Sequence, residues 1–383
     1  MRCLALIATI FLCLFQLANA NIQVNFGGFS YGSIIPEKTI THKFLQENGG
    51  ITYFNKLLLD KNNSLNNSSF SINYDLLKDG LSEQDQNILV LALDNEYIDS
   101  ISIPEDELTR TDIVLNFQII FFNAKNNSLV ASIPLEITKN ISSKDKLPEN
   151  KILAELKSIY EIDVINYYQQ LLNKFNLKSK FNNRIGITEV FLEDNAKNYL
   201  KNKFTGDDIF LKNRFAKSLS SYIAYHNDVA IIPFGQDRTT KTITLRFENT
   251  QRQISLPDPD YHVHLTLRGF KSILFKESNI NQQWIYGSYV AIKIIQPDYP
   301  DEKKKIKMDE QFKQGLNVEM STRSIKNKDS FEWIFFNDSL KSLFDNFSQQ
   351  TITLDKQWIK SSSENKNVAK IFNNIKEVYE NCK

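Results

Sequence analysis

Two histidines two residues apart, in the stretch "YHVHLTLRGF", come nearest to metal chemistry by residue type and spacing. Alternate side chains of a strand share a face, so His262 and His264 can present two imidazoles to one ion. A protein zinc site needs a third ligand. Asp258 or Asp260 just upstream, or His226 at the end of the preceding helical stretch, would have to supply it. The competing reading is plainer: His262, His264, Thr266 and Arg268 form the polar stripe of an amphipathic strand whose other stripe is Tyr261, Val263, Leu265 and Leu267.

Two other groups have chemical spelling. "GFSYG", Gly28 to Gly32, has the G-x-S-x-G pattern of a nucleophile elbow around Ser30. An elbow needs a core strand before the serine and a helix directly after it, and Pro36 opposes that helix, so a glycine-rich turn beside a terminal strand is the expected form. "LALDNEYIDS" gathers Asp94, Glu96 and Asp99 after an apolar run, with Asp94 and Glu96 expected on one strand face. Such carboxylates serve acid–base work or calcium, but they are also ordinary turn formers at a strand end. "LPDPDY", holding Asp258 and Asp260, reads first as a proline turn. No P-loop, dinucleotide fingerprint, Cys/His zinc spacing or H-E-x-x-H is spelled, so no catalytic residue is assigned. No cofactor is expected beyond a metal ion at His262 and His264.

The start of the chain points to export. "MRCLALIATIFLCLFQLANA" has Arg2, an apolar run from Leu4 to Phe15 and Ala18-Asn19-Ala20, the layout of a cleaved signal peptide over residues 1–20. Cleavage there leaves one cysteine, Cys382, and therefore no internal disulfide. A chain of this length can bury a sufficient core without one, which favours a bacterial envelope over a disulfide-rich secretory setting. The 46 basic and 45 acidic residues balance, so charge gives no case for nucleic acid, and no later window is apolar enough for a transmembrane span.

The remaining residues supply the scaffold. The expected fold class is α+β: two modules with mainly antiparallel sheets packed by amphipathic helices, plus a helical C-terminal segment. The first module, residues 21–178, has a strand in "NILVLAL", then a hairpin of "DIVLNFQIIFF" and "SLVASIPLEI". Asn116, Gln118, Ser132 and Glu136 suggest that one face of the hairpin is partly wet. Leu153, Leu156, Tyr160, Val164, Tyr167, Leu171 and Phe175 then mark a long helix.

The second module, 184–300, reads as strand "RIGITEVFL", a helix from Asp207, the short strand "VAIIPFG", and three strands, "TITLRFE", "YHVHLTLRGF" and "WIYGSYVAIKII", that extend one antiparallel sheet. Residues 301–383 read as a charged loop followed by helices around Phe331–Phe347 and from Asn367. No internal repeat is legible.

In order and length, residues 184–297 resemble the small α+β domains of bacterial envelope proteins such as the N-terminal domain of TolB and the curli-secretion lipoproteins. No motif accompanies the resemblance, so it implies a fold and transfers no site residue. The expectation is an exported, non-enzymatic envelope protein, periplasmic, that binds another envelope component. The alternatives are a metal-dependent or other hydrolase using the His262/His264 strand, and a secreted effector or surface factor found outside the cell.

Overall fold

The computed structural model describes residues 22–62, 65–74, 87–103, 107–178, 180–204, 208–235, 241–321 and 328–383. The targeting segment expected over residues 1–20 lies outside them. The α+β class holds: two mixed sheets are packed by helices, with a helical segment at the C-terminus.

The first module runs β1 (Ile22–Tyr31), α1 (Ile40–Glu47), α2 (Gly50–Asn62), β2 (Phe70–Asn73), β3 (Asn87–Ile103), β4 (Leu108–Asn123) and β5 (Ser128–Ser143). It ends in a helix whose parts are α3 (Glu149–Ser158), a π-helical turn (Ile159–Val164) and α4 (Ile165–Lys174). That helix packs the apolar stripe anticipated from its spacing except for Tyr167, which is exposed. Tyr160, fully buried at the π turn, meets the rings of Phe29, Phe44, Phe54 and Phe117. Such aromatic contacts add to the area they remove from water.

The second module runs β6 (Ile185–Leu192), α5 (Asp194–Lys201), α6 (Asp208–Asn227), β7 (Ile231–Ile232), β8 (Thr242–Arg246), β9 (Gln251–Ser255), β10 (Tyr261–Glu277) and β11 (Asn281–Ile295). It continues past residue 300 through α7 (Glu302–Lys305), β12 (Ile306–Ser321) and α8 (Lys328–Thr353). Two further helices, α9 (Lys356–Ser362) and α10 (Val368–Asn381), close the chain. The expected loop after residue 300 is therefore largely strand: β12 pairs with β11 from Ile306 to Ser321. Lys307, Asp309, Gln311 and Lys313 on one stripe disguise it, because that face of the sheet is open to water.

The two modules are the same topology twice. Strand order β2-β1-β3-β4-β5 in one sheet matches β7-β6-β10-β11-β12 in the other. In each, the first three strands are mutually parallel and the last two add antiparallel. Even the bulges coincide. Gly27 is extra in β1 against β3 and Thr188 in β6 against β10; Asp94 is extra in β3 against β4 and Arg268 in β10 against β11. Bulges are specific features of a strand rather than noise, so their coincidence makes the repeat a property of the fold. The closing helices agree too: segments of 10, 6 and 10 residues in the first module, and 26 residues in α8.

One segment breaks the symmetry. The strands "TITLRFE" and "QRQIS" do not extend the second sheet; β8 and β9 form a hairpin that joins the first. Ser255 pairs with Ser128 of β5, and Arg246 pairs with Tyr31 of β1. Ile243, Leu245 and Ile254 thereby bury Ile88, Val90, Ala92, Ile120 and Phe122 in a separate small core. The rest of that sheet face meets α6 and α8 of the second module, so the expected wet face is dry. Asn116, Gln118 and Ser132 are buried, and their polarity is used internally: Ser132 Oγ donates to Gln118 Oε1 at 2.6 Å and Asn116 Nδ2 to Glu136 Oε2 at 3.0 Å.

Candidate functional site

Ser30 stands inside β1, paired with Ala92, in ordinary strand backbone rather than at a strand-to-helix turn. It is fully buried and its Oγ has no hydrogen-bond partner. A nucleophile needs a base within reach and access to substrate, and Ser30 has neither.

The carboxylates around Asp94 are structural and do not share a face. The bulge at Asp94 flips the strand, so Asp94 meets Lys217 of α6 at 2.9 Å while Glu96 points to the other side of the sheet. There Glu96 accepts from the main-chain nitrogens of Ile40 (2.6 Å) and Thr41 (2.9 Å), satisfying donors at the start of α1. Asp99 accepts from the Tyr97 hydroxyl at 2.9 Å.

His262 and His264 do share the outer face of the second sheet, with ring centroids 6.5 Å apart. Each has a protein neighbour: His262 Nε2 lies 3.0 Å from the Pro259 carbonyl oxygen and His264 Nδ1 lies 3.6 Å from Glu189 Oε2. The proposed third ligands are engaged elsewhere. Asp258 pairs with Lys241 at 2.7 Å, Asp260 accepts from the Arg184 main-chain nitrogen at 2.7 Å, and His226 pairs with Asp345 at 2.6 Å on the helical side of the sheet. Among the described residues no group of three His, Cys, Asp or Glu side chains is placed to hold a metal ion.

A polar seam between the modules escaped the sequence reading. Lys217–Asp94, Lys341–Glu136 at 2.8 Å, and Arg110, which donates to both oxygens of Asp338 at 2.6 and 2.7 Å, tie the first sheet to α6 and α8. The guanidinium of Arg214 sits 4.1 Å from the Tyr97 ring centroid. Burial pushes the Glu136 carboxyl up, but the Lys341 ammonium and the amide of Asn116 outweigh it and hold its pKa below 4.5. A cleft of about 420 Å³ opens beside this pair toward Tyr167, Tyr222 and Asp345. Its charges are committed to each other, which makes it a joint.

Among the described residues, two places gather exposed large apolar side chains. At the far end of the β10–β11 hairpin Phe275 and Ile280 are 70% and 72% exposed, with Ile273 and Leu274 beside them. At the corresponding end of the β3–β4 hairpin Ile103 is buried and Ile98, Ile101 and Leu108 pack against the core. The second surface is a cleft of about 480 Å³ beside β6, where Phe191 and Ile209 are exposed and the amide of Asn213 forms part of the wall.

No protein-family model matches the chain, and no curated protein matches it. Among solved structures it is similar to the hypothetical protein CT253 from Chlamydia trachomatis, at 8% identity and a TM-score of 0.22, over 43% of this chain and 95% of that one. A likeness of that size carries no argument about function.

Proposed function

We propose that this chain is an exported protein of a bacterial envelope, periplasmic, that works by binding another envelope protein rather than by catalysis. The observation that carries the reading is the bare tip of the β10–β11 hairpin. Ile273, Leu274, Phe275 and Ile280 are exposed together, where the twin module covers its own apolar residues. Several large apolar side chains left exposed within one short stretch of an otherwise well-packed protein favour a partner. The signal-like residues 1–20, and the single cysteine that would remain after their removal, support that location. Among the described residues no helix is long and apolar enough to cross a membrane.

Cross-linking and co-purification of the C-terminally tagged protein from fractionated envelopes, with mass spectrometry, tests this. A stoichiometric envelope protein should be recovered with the wild type and lost with Phe275→Ser/Ile280→Ser, whose melting temperature should not fall. Recovery of the same partner by the variant, or a protein that has no partner and turns over a substrate, overturns the reading.

A further inference from the structure

The repeated topology allows one module to be used as a template for the other. In the first, the outer edge of β1 is taken at both ends: β2 pairs with it from Ile22 to Asn25, and β8 pairs at Tyr31. Between them the side chain of Asn55, sixth residue of α2, accepts from the Phe29 main-chain nitrogen at 2.6 Å. Arg246 Nη1 finishes the edge by donating to the carbonyls of Gly32 (2.7 Å) and Ile34 (3.3 Å).

In the second module β7 pairs with β6 only at Ile185 and Gly186, and among the described residues no strand pairs with Val190 or Leu192 on that side. Counting from the matched bulges, Glu189 takes the place of Gly28 and Val190 that of Phe29. Asn213 is the sixth residue of α6, as Asn55 is of α2. Yet Asn213 cannot adopt the same seat: a Cβ at Gly28 would come within 2.8 Å of the Asn55 amide, and Glu189 carries that Cβ. Asn213 is left 4% exposed with neither its amide oxygen nor its nitrogen hydrogen-bonded, in the wall of the cleft formed with Val190, Phe191, Ile209, Lys212 and Phe234. A buried amide lacking both partners is costly and rare.

We propose that this cleft binds an extended peptide of a partner protein, which adds as a strand to the edge of β6 at Val190 and Leu192. The Asn213 amide takes one carbonyl and one N–H of the incoming main chain. The molecule itself shows what fits the far end of this edge, since in the twin module the position matching Leu192, Tyr31, is paired by a β-strand, β8. Main-chain pairing gives affinity in strand addition and alternate side chains give specificity. Here one apolar side chain of the peptide lies on Phe191, Ile209 and Phe234. The proposal rests on the partner-binding reading above but uses a different surface.

The test is selection from a library of displayed peptides of about 12 residues, roughly two strand lengths, on the purified mature chain, with Asn213→Leu as the competing target. Because Asn213 has no bonds to lose, the variant should fold and melt like the wild type. Selected peptides should bind it at least about tenfold more weakly, and should slow hydrogen exchange at Val190 and Leu192. The proposal fails if no peptide is enriched, if peptides bind both proteins equally, or if protection falls on other strands. An envelope partner lost with Phe275→Ser/Ile280→Ser, together with an empty selection, sinks this proposal alone. Asn213-dependent peptide binding, with no envelope partner recovered, sinks the other alone.

Discussion

Among the described residues the first sheet is covered on both faces and the second on one, although the two are built to the same plan. Ile88, Val90 and Ala92 of β3 correspond by register to His262, His264 and Thr266 of β10. The former lie under the β8–β9 hairpin; the latter face outward. A strand position is apolar or polar according to what covers it, not according to the topology it belongs to. The hairpin, inserted into the second module but spent on the first, covers a face of one copy whose counterpart in the other is, among the described residues, open.

The joint between the copies should break most expensively. Lys217 and Asp94 are both about 5% exposed, so removing one partner strands the other charge. Lys217→Met should cost about 3–5 kcal/mol in denaturant unfolding. Asp94→Leu/Lys217→Met should recover most of that loss, because burying no charge is cheaper than burying one. A single variant that unfolds like the wild type would mean that the modules are not locked there.

The neighbouring pair sharpens the point through pH. With its pKa held below 4.5, Glu136 contributes stability that is fully present above about pH 4.5 and is lost as pH falls through the lower folded value. In Lys341→Met the largest lowering influence is gone and burial is opposed only by the Asn116 amide and the Arg214 charge, so the Glu136 pKa rises relative to the wild type and less stability is gained as pH rises above about 4.5. Unfolding midpoints of the two proteins, compared at pH 4 and pH 7, should therefore converge at the acid end by about 1–3 kcal/mol. A difference independent of pH would contradict the ion pair.

Periodicity made the covered parts legible. The stripe Leu153 to Phe175, the alternation of β4 and β5, and the aromatic face Phe331 to Phe347 all gave the right element, because each faces one large core. Sheet membership was hidden. "TITLRFE" spells a strand, but nothing in its residues says that Leu245 will join the small core of Ile88, Val90 and Ala92 rather than the sheet that follows. The repeat was hidden for the reason given above: matched positions meet different surroundings and so carry different residue types. The dryness of the hairpin face was hidden, since Asn116 and Gln118 look alike in sequence whether a polar side chain answers water or a neighbouring helix. The outward placement of His262 and His264 was legible because a period of two needs no tertiary knowledge.

Asn55 and Asn213 compare the copies atom for atom. Asn55→Leu strips the Phe29 nitrogen of its acceptor and should cost about 1–3 kcal/mol. Asn213→Leu removes an amide that bonds to nothing and should be neutral or slightly stabilising. Equal losses in thermal unfolding would show that the two seats are alike and that the edge of β6 is closed.

The smallest effect belongs to the histidine pair. His262 and His264 sit where the twin has Ile88 and Val90, but with no hairpin above them, so little packing depends on either ring. His262→Ala/His264→Ala should change stability by less than about 0.5 kcal/mol, the usual range for surface positions. Two imidazoles without a third ligand hold zinc weakly, so added zinc should leave the melting temperature of wild type and variant equally unmoved. A zinc-dependent rise in the wild type alone would make the outer face of the second sheet a metal site, and its openness would then be the approach to that site.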